Sequence, residues 1–425
     1  MRLRITGGQP LAGTYTPSGN PNAAKALLAA SMLTDAPVSL RRVPRNTSTR
    51  NLIDAAGQLG ATFDWHSDHH VTVTTAALTR RVLDEKQVGG AVGALLFLGP
   101  LLVRREHARI EVDFPLRRIR THLNALRDLG LDVIVMRGTV EINTKTWDDQ
   151  DIILDSPSVT ATAIALMLAA RLGKRTVIRN AACEPHITDL ANLLTAMGGC
   201  IEGVGSNMLT VEGVASLSGA DVALSYDHIE VASVAAIAAL SGGRLQIAPH
   251  NGATMPDLRV IARTFAHFGM TIDADADGVL VPKHERFAVA NREDDIDASV
   301  ETAPYPGFPS DLVTVAAAVA TQAHGTSLIH EKLFKDRLLF VDTLKDMGAQ
   351  IILADPHRAI VVGGTPLRGT YIASADPRFG LGLLGAALIA EGESVIDNAE
   401  GFDYTFDGVL PKLRTLGATI SEIHP

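Results

Sequence analysis

A chain of 425 residues exceeds what one hydrophobic core organises and suits two domains of about 200 residues each. Hydrophobic residues make up 46% and charged residues 20%, the balance of a soluble globular protein, and aromatics only 4%, so Ala, Leu, Val and Ile must fill the core. A formal charge of −9 argues against a nucleic-acid partner, whose phosphates demand a basic face.

The start, MRLRITGGQPLAG, holds no apolar run of signal-peptide length, and the longest apolar stretches elsewhere are too short for a membrane span, so a cytoplasmic protein with no membrane partner is expected. Cys183 and Cys200 make neither a disulfide framework nor a metal site. The histidines lack ligand spacing, so no metal and no cofactor is expected.

In chain order, an apolar small-residue helix running into a β-branched strand alternates with an amphipathic helix that closes on Gly and a short strand. NAAKALLAASMLTDAPVSLRRV (22–43) is followed by LIDAAGQLGATFD (52–64), and GAVGALLFLGPLLVRREHARIEV (90–112) by LNALRDLGLDVIV (123–135). SVTATAIALMLAARLGKRTVIRNA (158–181) precedes LANLLTAMGGCIE (190–202), and VASVAAIAALSGGRLQIAPH (231–250) precedes VIARTFAHFGMTID (260–273). LVTVAAAVATQAHGTSLIHE (312–331) leads to VDTLKDMGAQIIL (341–353), and GLGLLGAALIAEGESVIDNAE (380–400) to VLPKLRTLGATIS (409–421). The closing glycines, Gly60, Gly130, Gly198, Gly269, Gly348 and Gly417, recur every 68 to 79 residues. Gly in that place accepts the left-handed conformation that ends a helix. A near-constant period held six times is the mark of an internal repeat. Helices apolar on nearly every face belong inside their lobe.

Six units divide into two lobes of three. The sixth lacks a last strand, which MRLRITGG can supply. The chain then starts in the second lobe, crosses to the first near residues 18–22 and returns near 226–230. The expected domains are 21–228, and 1–20 with 229–425. Two crossings make a hinge, and the cleft between hinged lobes is the expected ligand site.

Three stretches carry a resemblance: TAPYPGFPSDL (302–312), NAACEPHITDL (180–190) and TYTPSGNPNAA (14–24). On these the chain resembles the enolpyruvyl transferases over essentially its whole length, the UDP-N-acetylglucosamine branch most and the shikimate-phosphate branch more distantly. The resemblance implies a two-lobed inside-out α/β barrel of six βαβαββ-type repeats. Helix N-termini then face the cleft, where partial positive charge suits anions. It also implies transfer of the enolpyruvyl group of phosphoenolpyruvate to a sugar, nucleotide or cyclitol hydroxyl. That reaction needs cations for phosphate and carboxylate, an acid for the vinyl methylene and a base for the hydroxyl.

Residue by residue, the resemblance makes Asp311 the base near the reacting hydroxyl, although Ser310 and Asp311 also read as a helix N-cap. Arg337 falls on a carboxylate-binding arginine, and Asp376 and Arg378 on an Asp-x-Arg that also reads as a local ion pair. Asn22 falls near the reacting centre and equally reads as a cap. Arg117, with Arg118 and Arg120, lies where a mobile loop returns to a helix, as an anion clamp or a solvated basic turn. Ser158 and Val159 align with a uridine-contacting loop, where Ser158 also reads as an N-cap.

Several places depart from the family pattern. Pro21 stands where the family has a lysine that grips phosphoenolpyruvate, Val92 where it has an arginine, and Tyr404 where it has another. The loop 111–117 has no cysteine, leaving Asp113 as the nearest acid, and His228 replaces an arginine at the second crossing. Each charge-assisted contact is worth about 1.5–3 kcal/mol, so losing three weakens phosphate binding by several orders of magnitude unless other arginines compensate. The expectation is therefore a divergent enolpyruvyl transferase on an anionic substrate in a specialised pathway. The alternatives are a lyase or dehydratase on the same scaffold, or a binding protein that kept the fold alone.

Overall fold

A computed structural model describes residues 1–84, 92–248, 258–275, 278–290 and 299–423. The chain divides into two compact units, Met1–Ser18 with Tyr226–Pro425, and Gly19–Ser225. The divisions fall two and three residues before the boundaries expected at 20 and 228, so His228 belongs to the unit holding the chain ends. Each boundary is held by a backbone bond within its own unit: Asn20 N donates to Ser225 O, and Asp227 N to Ser18 O, both at 2.9 Å.

Among the described residues the strands form four-stranded sheets of one repeated pattern. In the third repeat, Trp147–Ile153 runs parallel to Gly173–Arg179, which is antiparallel to Met208–Glu212, itself antiparallel to Cys200–Glu202. Helix Val159–Leu172 joins the parallel pair and helix Pro185–Ala196 leads to the hairpin, giving βαβαββ. The sixth sheet takes its missing strand from the N-terminus: Arg2–Thr6 lies between Glu393–Ile396 and Thr419–Ile423, with Leu3 opposite Ile396 and Ile5 opposite Ile420. The crossings complete two further sheets. Gly13–Tyr15 pairs in parallel with Leu245–Ile247, and Ala220–Ala223 with Val38–Arg41.

The closing glycines act as the pattern requires. Gly60, Gly130, Gly198, Gly269, Gly348 and Gly417 have φ of +114°, +89°, +104°, +77°, +99° and +107°. An L side chain rarely adopts this conformation, so Gly ends each amphipathic helix and turns the chain into its strand.

Within each unit the apolar helices lie innermost and the sheets wrap them, an inside-out α/β barrel. In the unit with the termini, His228–Leu240, Val313–Gln322 and Gly382–Ile389 pack on one another. Small residues permit the approach: a Cβ on Gly382 would lie 2.5 Å from Thr314 Cγ2, and one on Gly385 2.8 Å from Ile237 Cγ1. In the other unit Pro21–Ser31, Leu98–Arg105 and Val159–Leu172 pack likewise, with Gly99 seated on Met167. The second apolar segment differs from expectation. Gly90 and Ala91 lie outside the described residues, Val92–Phe97 is a 3₁₀ turn, and the α-helix begins only at Leu98. Gly93 lowers the helix propensity there, and a 3₁₀ opening turn is a common way for a helix to start.

Candidate active site

In the unit holding the termini, the segment 302–312 carries the most chemistry. It doubles back through a bridge between Thr302 and Phe308, then enters the 3₁₀ turn Ser310–Leu312 that leads into Val313–Gln322. Neither helix start is capped by a side chain. The Asp311 carboxylate, more than half exposed, instead accepts from Arg337 Nη2 at 3.2 Å. Arg337 Nη1 donates to Arg378 O at 2.5 Å, and its guanidinium lies 5.1 Å from the centre of the Phe334 ring.

The Arg378 side chain is bound to Asp376, which accepts from Nε at 3.0 Å and Nη2 at 2.6 Å. Asp376 also accepts from Arg378 N at 2.9 Å, so it is both ion pair and cap. The bonds from Arg378 hold its carboxyl below the usual range. Tyr404 is on the short helix Glu400–Thr405, 38% exposed, outside this network. Gly401 lets that helix approach the Ala375 carbonyl, where a Cβ would stand 1.9 Å from the oxygen.

His228 opens the buried helix His228–Leu240, whose cap is Asp227, accepting from Ile229 N at 3.0 Å. Its ring meets Tyr305 edge-on at 6.4 Å. Burial pushes the imidazole down to about 4, with the Asp311 charge opposing. Burial, then the Glu230 charge, pushes Asp227 up to about 7.

In the unit 19–225, Asn20 rather than Asn22 caps Pro21–Ser31, accepting from Asn22 N at 2.9 Å and Ala23 N at 3.0 Å. The Asn22 side chain is therefore left facing outward, 3.5 Å from Lys25 Nζ. Asp113 is exposed in the loop before the turn Leu116–Ile119. The arginines there are engaged separately: Arg118 lies 5.1 Å from the Phe114 ring centre, Arg120 is 3.8 Å from Asp155, and Arg117 is exposed. Ser158 caps Val159–Leu172, accepting from Ala161 N at 3.3 Å, and Val159 is half-buried. Three contacts set this loop beside helix Arg120–Asp128: Asn124 to Asp155 at 2.7 Å, Thr121 with Ser156 at 3.2 Å, and His122 with Thr160 at 2.6 Å. Arg117 and Ser158 thus lie on adjoining loops at one end of the unit.

A family model described as EPSP synthase (3-phosphoshikimate 1-carboxyvinyltransferase) matches residues 5–413. The chain belongs to this enolpyruvyl transferase family. The UDP-N-acetylglucosamine 1-carboxyvinyltransferase of Bradyrhizobium diazoefficiens is 37% identical, covering 99% of this chain and 97% of that one. The crystal structure of the enolpyruvyl transferase NikO from Streptomyces tendae shares the fold at 24% identity, with a TM-score of 0.87 over 99% of this chain and 98% of that one. EPSP synthase from Acinetobacter baumannii shares it at 16% identity, with a TM-score of 0.76 and full coverage of both chains.

Two residues beyond those expected from the sequence organise the unit that holds the termini. Glu331, fully buried, accepts from Thr302 Oγ1 at 3.0 Å, Ser310 Oγ at 2.6 Å, Leu333 N at 2.7 Å and Phe334 N at 3.0 Å. It ties the loop of Asp311 to the loop of Arg337. Glu230, also buried, accepts from Tyr15 at 2.5 Å, Ser18 N at 3.2 Å and Lys412 at 3.2 Å, and so fastens the first crossing. Burial raises the Tyr15 hydroxyl well above its usual value, keeping it a donor. Nothing in the sequence around either glutamate marks it, and its buried partners reveal it. Among the described residues, no cluster of His, Cys, Asp or Glu could hold a metal, and no helix is long and apolar enough to cross a membrane.

Proposed function

We propose that this protein transfers the enolpyruvyl group of phosphoenolpyruvate to a hydroxyl of an anionic nucleotide-, sugar- or cyclitol-type acceptor. The supporting observation is the Asp311–Arg337 pair, held at 3.2 Å on the buried-helix entrance by two anchored loops. Asp311, exposed beside a cation, takes the acceptor hydroxyl proton as oxygen attacks C2 of the enolpyruvyl unit. Arg337 holds a substrate carboxylate, a planar group that a guanidinium binds with two parallel bonds. The C3 methylene gains a proton and later loses it as phosphate departs. Asp113 is the nearest carboxyl to the place of the family's loop acid and is assigned that role. In the unit 19–225 Asn22, Arg117, Arg118, Arg120, Ser158 and Val159 are assigned to substrate binding, and in the unit with the termini His228, Asp376, Arg378 and Tyr404 are.

Pro21, Val92 and Tyr404 stand where family members carry cations for the phosphate of phosphoenolpyruvate, and His228 where they carry an arginine at the second crossing. The same replacements favour a second reading, elimination on an anionic substrate with Asp311 as base and no phosphoenolpyruvate. Phosphate release from phosphoenolpyruvate, measured with UDP-sugars, UMP and shikimate-type acids in turn, separates the two. Release in Asp311→Asn and Arg337→Ala is expected to fall by 100-fold or more. Unchanged rates in both variants place the chemistry elsewhere.

A further inference from the structure

We propose that Arg337 exchanges carboxylates: a substrate carboxylate displaces Asp311 from the guanidinium, and that exchange frees Asp311 to take the acceptor's proton. The proposal deepens the transferase reading above and rests on it for the roles of the two residues.

Two Asp–Arg pairs stand side by side in the unit with the termini, and their geometry differs. Asp376 accepts from Arg378 Nε at 3.0 Å, from Nη2 at 2.6 Å and from its backbone N at 2.9 Å. Asp311 accepts one bond from Arg337, Nη2 to Oδ1 at 3.2 Å, and its side chain is 57% exposed against 16% for Arg337. An exposed ion pair with a single bond is a weak contact, whereas a guanidinium that meets a carboxylate with two parallel bonds holds it more firmly. The first pair is therefore fixed and the second is the one that gives.

Within the second pair Asp311 is the member that moves. The guanidinium is held from two other sides, by Arg378 O at 2.5 Å from Nη1 and by the Phe334 ring centred 5.1 Å away. Neither helix start takes the Asp311 carboxylate as a cap. Its backbone is anchored: Ser310 Oγ is bound to Glu331, and a Cβ on Gly380 would stand 3.3 Å from the Asp311 carbonyl oxygen. The motion is thus a rotamer change of one exposed side chain. Two carboxylates on one guanidinium repel each other, so the arriving one expels the one that is held by a single bond. Oδ1, occupied until then, becomes free to accept from the acceptor hydroxyl. The carboxylate-bearing substrate and the acceptor thereby favour each other's binding.

Calorimetric titration with phosphoenolpyruvate compares wild type, Asp311→Ala, Arg337→Ala and the double variant, each checked for native circular dichroism. Asp311→Ala is expected to bind phosphoenolpyruvate about 3- to 10-fold more tightly than wild type although it loses turnover, because no resident carboxylate has to leave. In the Arg337→Ala background the same change is expected to alter affinity by less than about twofold, since nothing remains to exchange. Equal or weaker binding by Asp311→Ala, or the same gain without Arg337, overturns the exchange; if wild type turns over, the transferase reading survives that result. If wild type binds phosphoenolpyruvate without turning it over, the transferase reading falls, and the comparison of affinities still decides the exchange. If neither wild type nor Asp311→Ala binds it, the exchange is overturned as well. Should an alanine variant fail to fold, Asp311→Asn or Arg337→Gln is read by the same criteria.

Discussion

Replacing Glu331 tests whether the pair Asp311–Arg337 is placed by one buried carboxylate. Its Oε1 accepts from Thr302, Leu333 and Phe334, and its Oε2 from Ser310. In Glu331→Ala the two hydroxyls can turn to other partners, but the backbone N–H groups of Leu333 and Phe334 lose theirs. Each stranded donor costs about 1–3 kcal/mol, and the side-chain void adds to this, for a total near 3–5 kcal/mol. Glu331→Gln keeps one acceptor oxygen for three of the donors and turns an amide toward Ser310, whose hydroxyl can accept, so its cost is about 1–2 kcal/mol. Asp311 follows Ser310 directly and Arg337 lies three residues after Phe334, so freeing the anchor displaces both. A displacement near 1 Å costs about 100-fold in rate. Urea unfolding and steady-state kcat/KM, measured on the same preparations, give both quantities. The expected order is wild type, then Gln, then Ala, in stability and in rate alike. An alanine variant within about 0.5 kcal/mol and twofold of wild type would show that Glu331 does not place the pair, since that is the scatter of an ordinary surface change.

Other outcomes follow from single contacts. His122 is buried with its pKa pushed down to about 4 from 6.5 by desolvation. The unfolded chain therefore binds a proton that the folded one does not, and this contribution, complete above pH 6.5, is lost as pH falls toward 4, by about 3 kcal/mol at most. His122→Phe should lose less stability than wild type between pH 7 and pH 4.5 in urea titrations; parallel losses would show that His122 charges freely in the fold. Gly382→Ala should destabilise by about 1–3 kcal/mol, because the new Cβ meets the Thr314 backbone carbon at 2.6 Å. Gly99→Ala, which meets the flexible end of Met167 at 2.8 Å, should cost less, since Met167 can turn aside and alanine favours helix. Thermal unfolding orders the two, and the reverse order would contradict the packing described.

The repeat was legible because it rests on backbone demands that few residues meet. Six glycines at positive φ and six apolar helices leave little choice of fold, and the unpaired sixth unit pointed to the N-terminal strand. The assignment of caps was less legible. Asn20, Asn22, Ser158, Ser310 and Asp311 all suit a helix start by type, and their partners decide: Asn20 and Ser158 cap, while Asp311 turns to Arg337 and Ser310 to Glu331. Three arginines within four residues read as one clamp, but a 3₁₀ turn passing into α-helix sends Arg118 to Phe114 and Arg120 toward Asp155. Glu230, Glu331 and His122 were hidden for a different reason. Each is a polar residue buried with at least one hydroxyl partner distant in sequence, Tyr15 for Glu230, Thr302 and Ser310 for Glu331 and Thr160 for His122, and no local pattern records that.

Whether this member of the family still moves an enolpyruvyl group is decided by mass spectrometry of an acceptor panel incubated with phosphoenolpyruvate and the wild-type protein. Transfer gives one acceptor that gains the mass of an enolpyruvyl group (C₃H₂O₂), with phosphate released in equal amount. An acceptor that instead loses water with phosphoenolpyruvate absent, or a panel left unaltered while phosphoenolpyruvate stays intact, would contradict it.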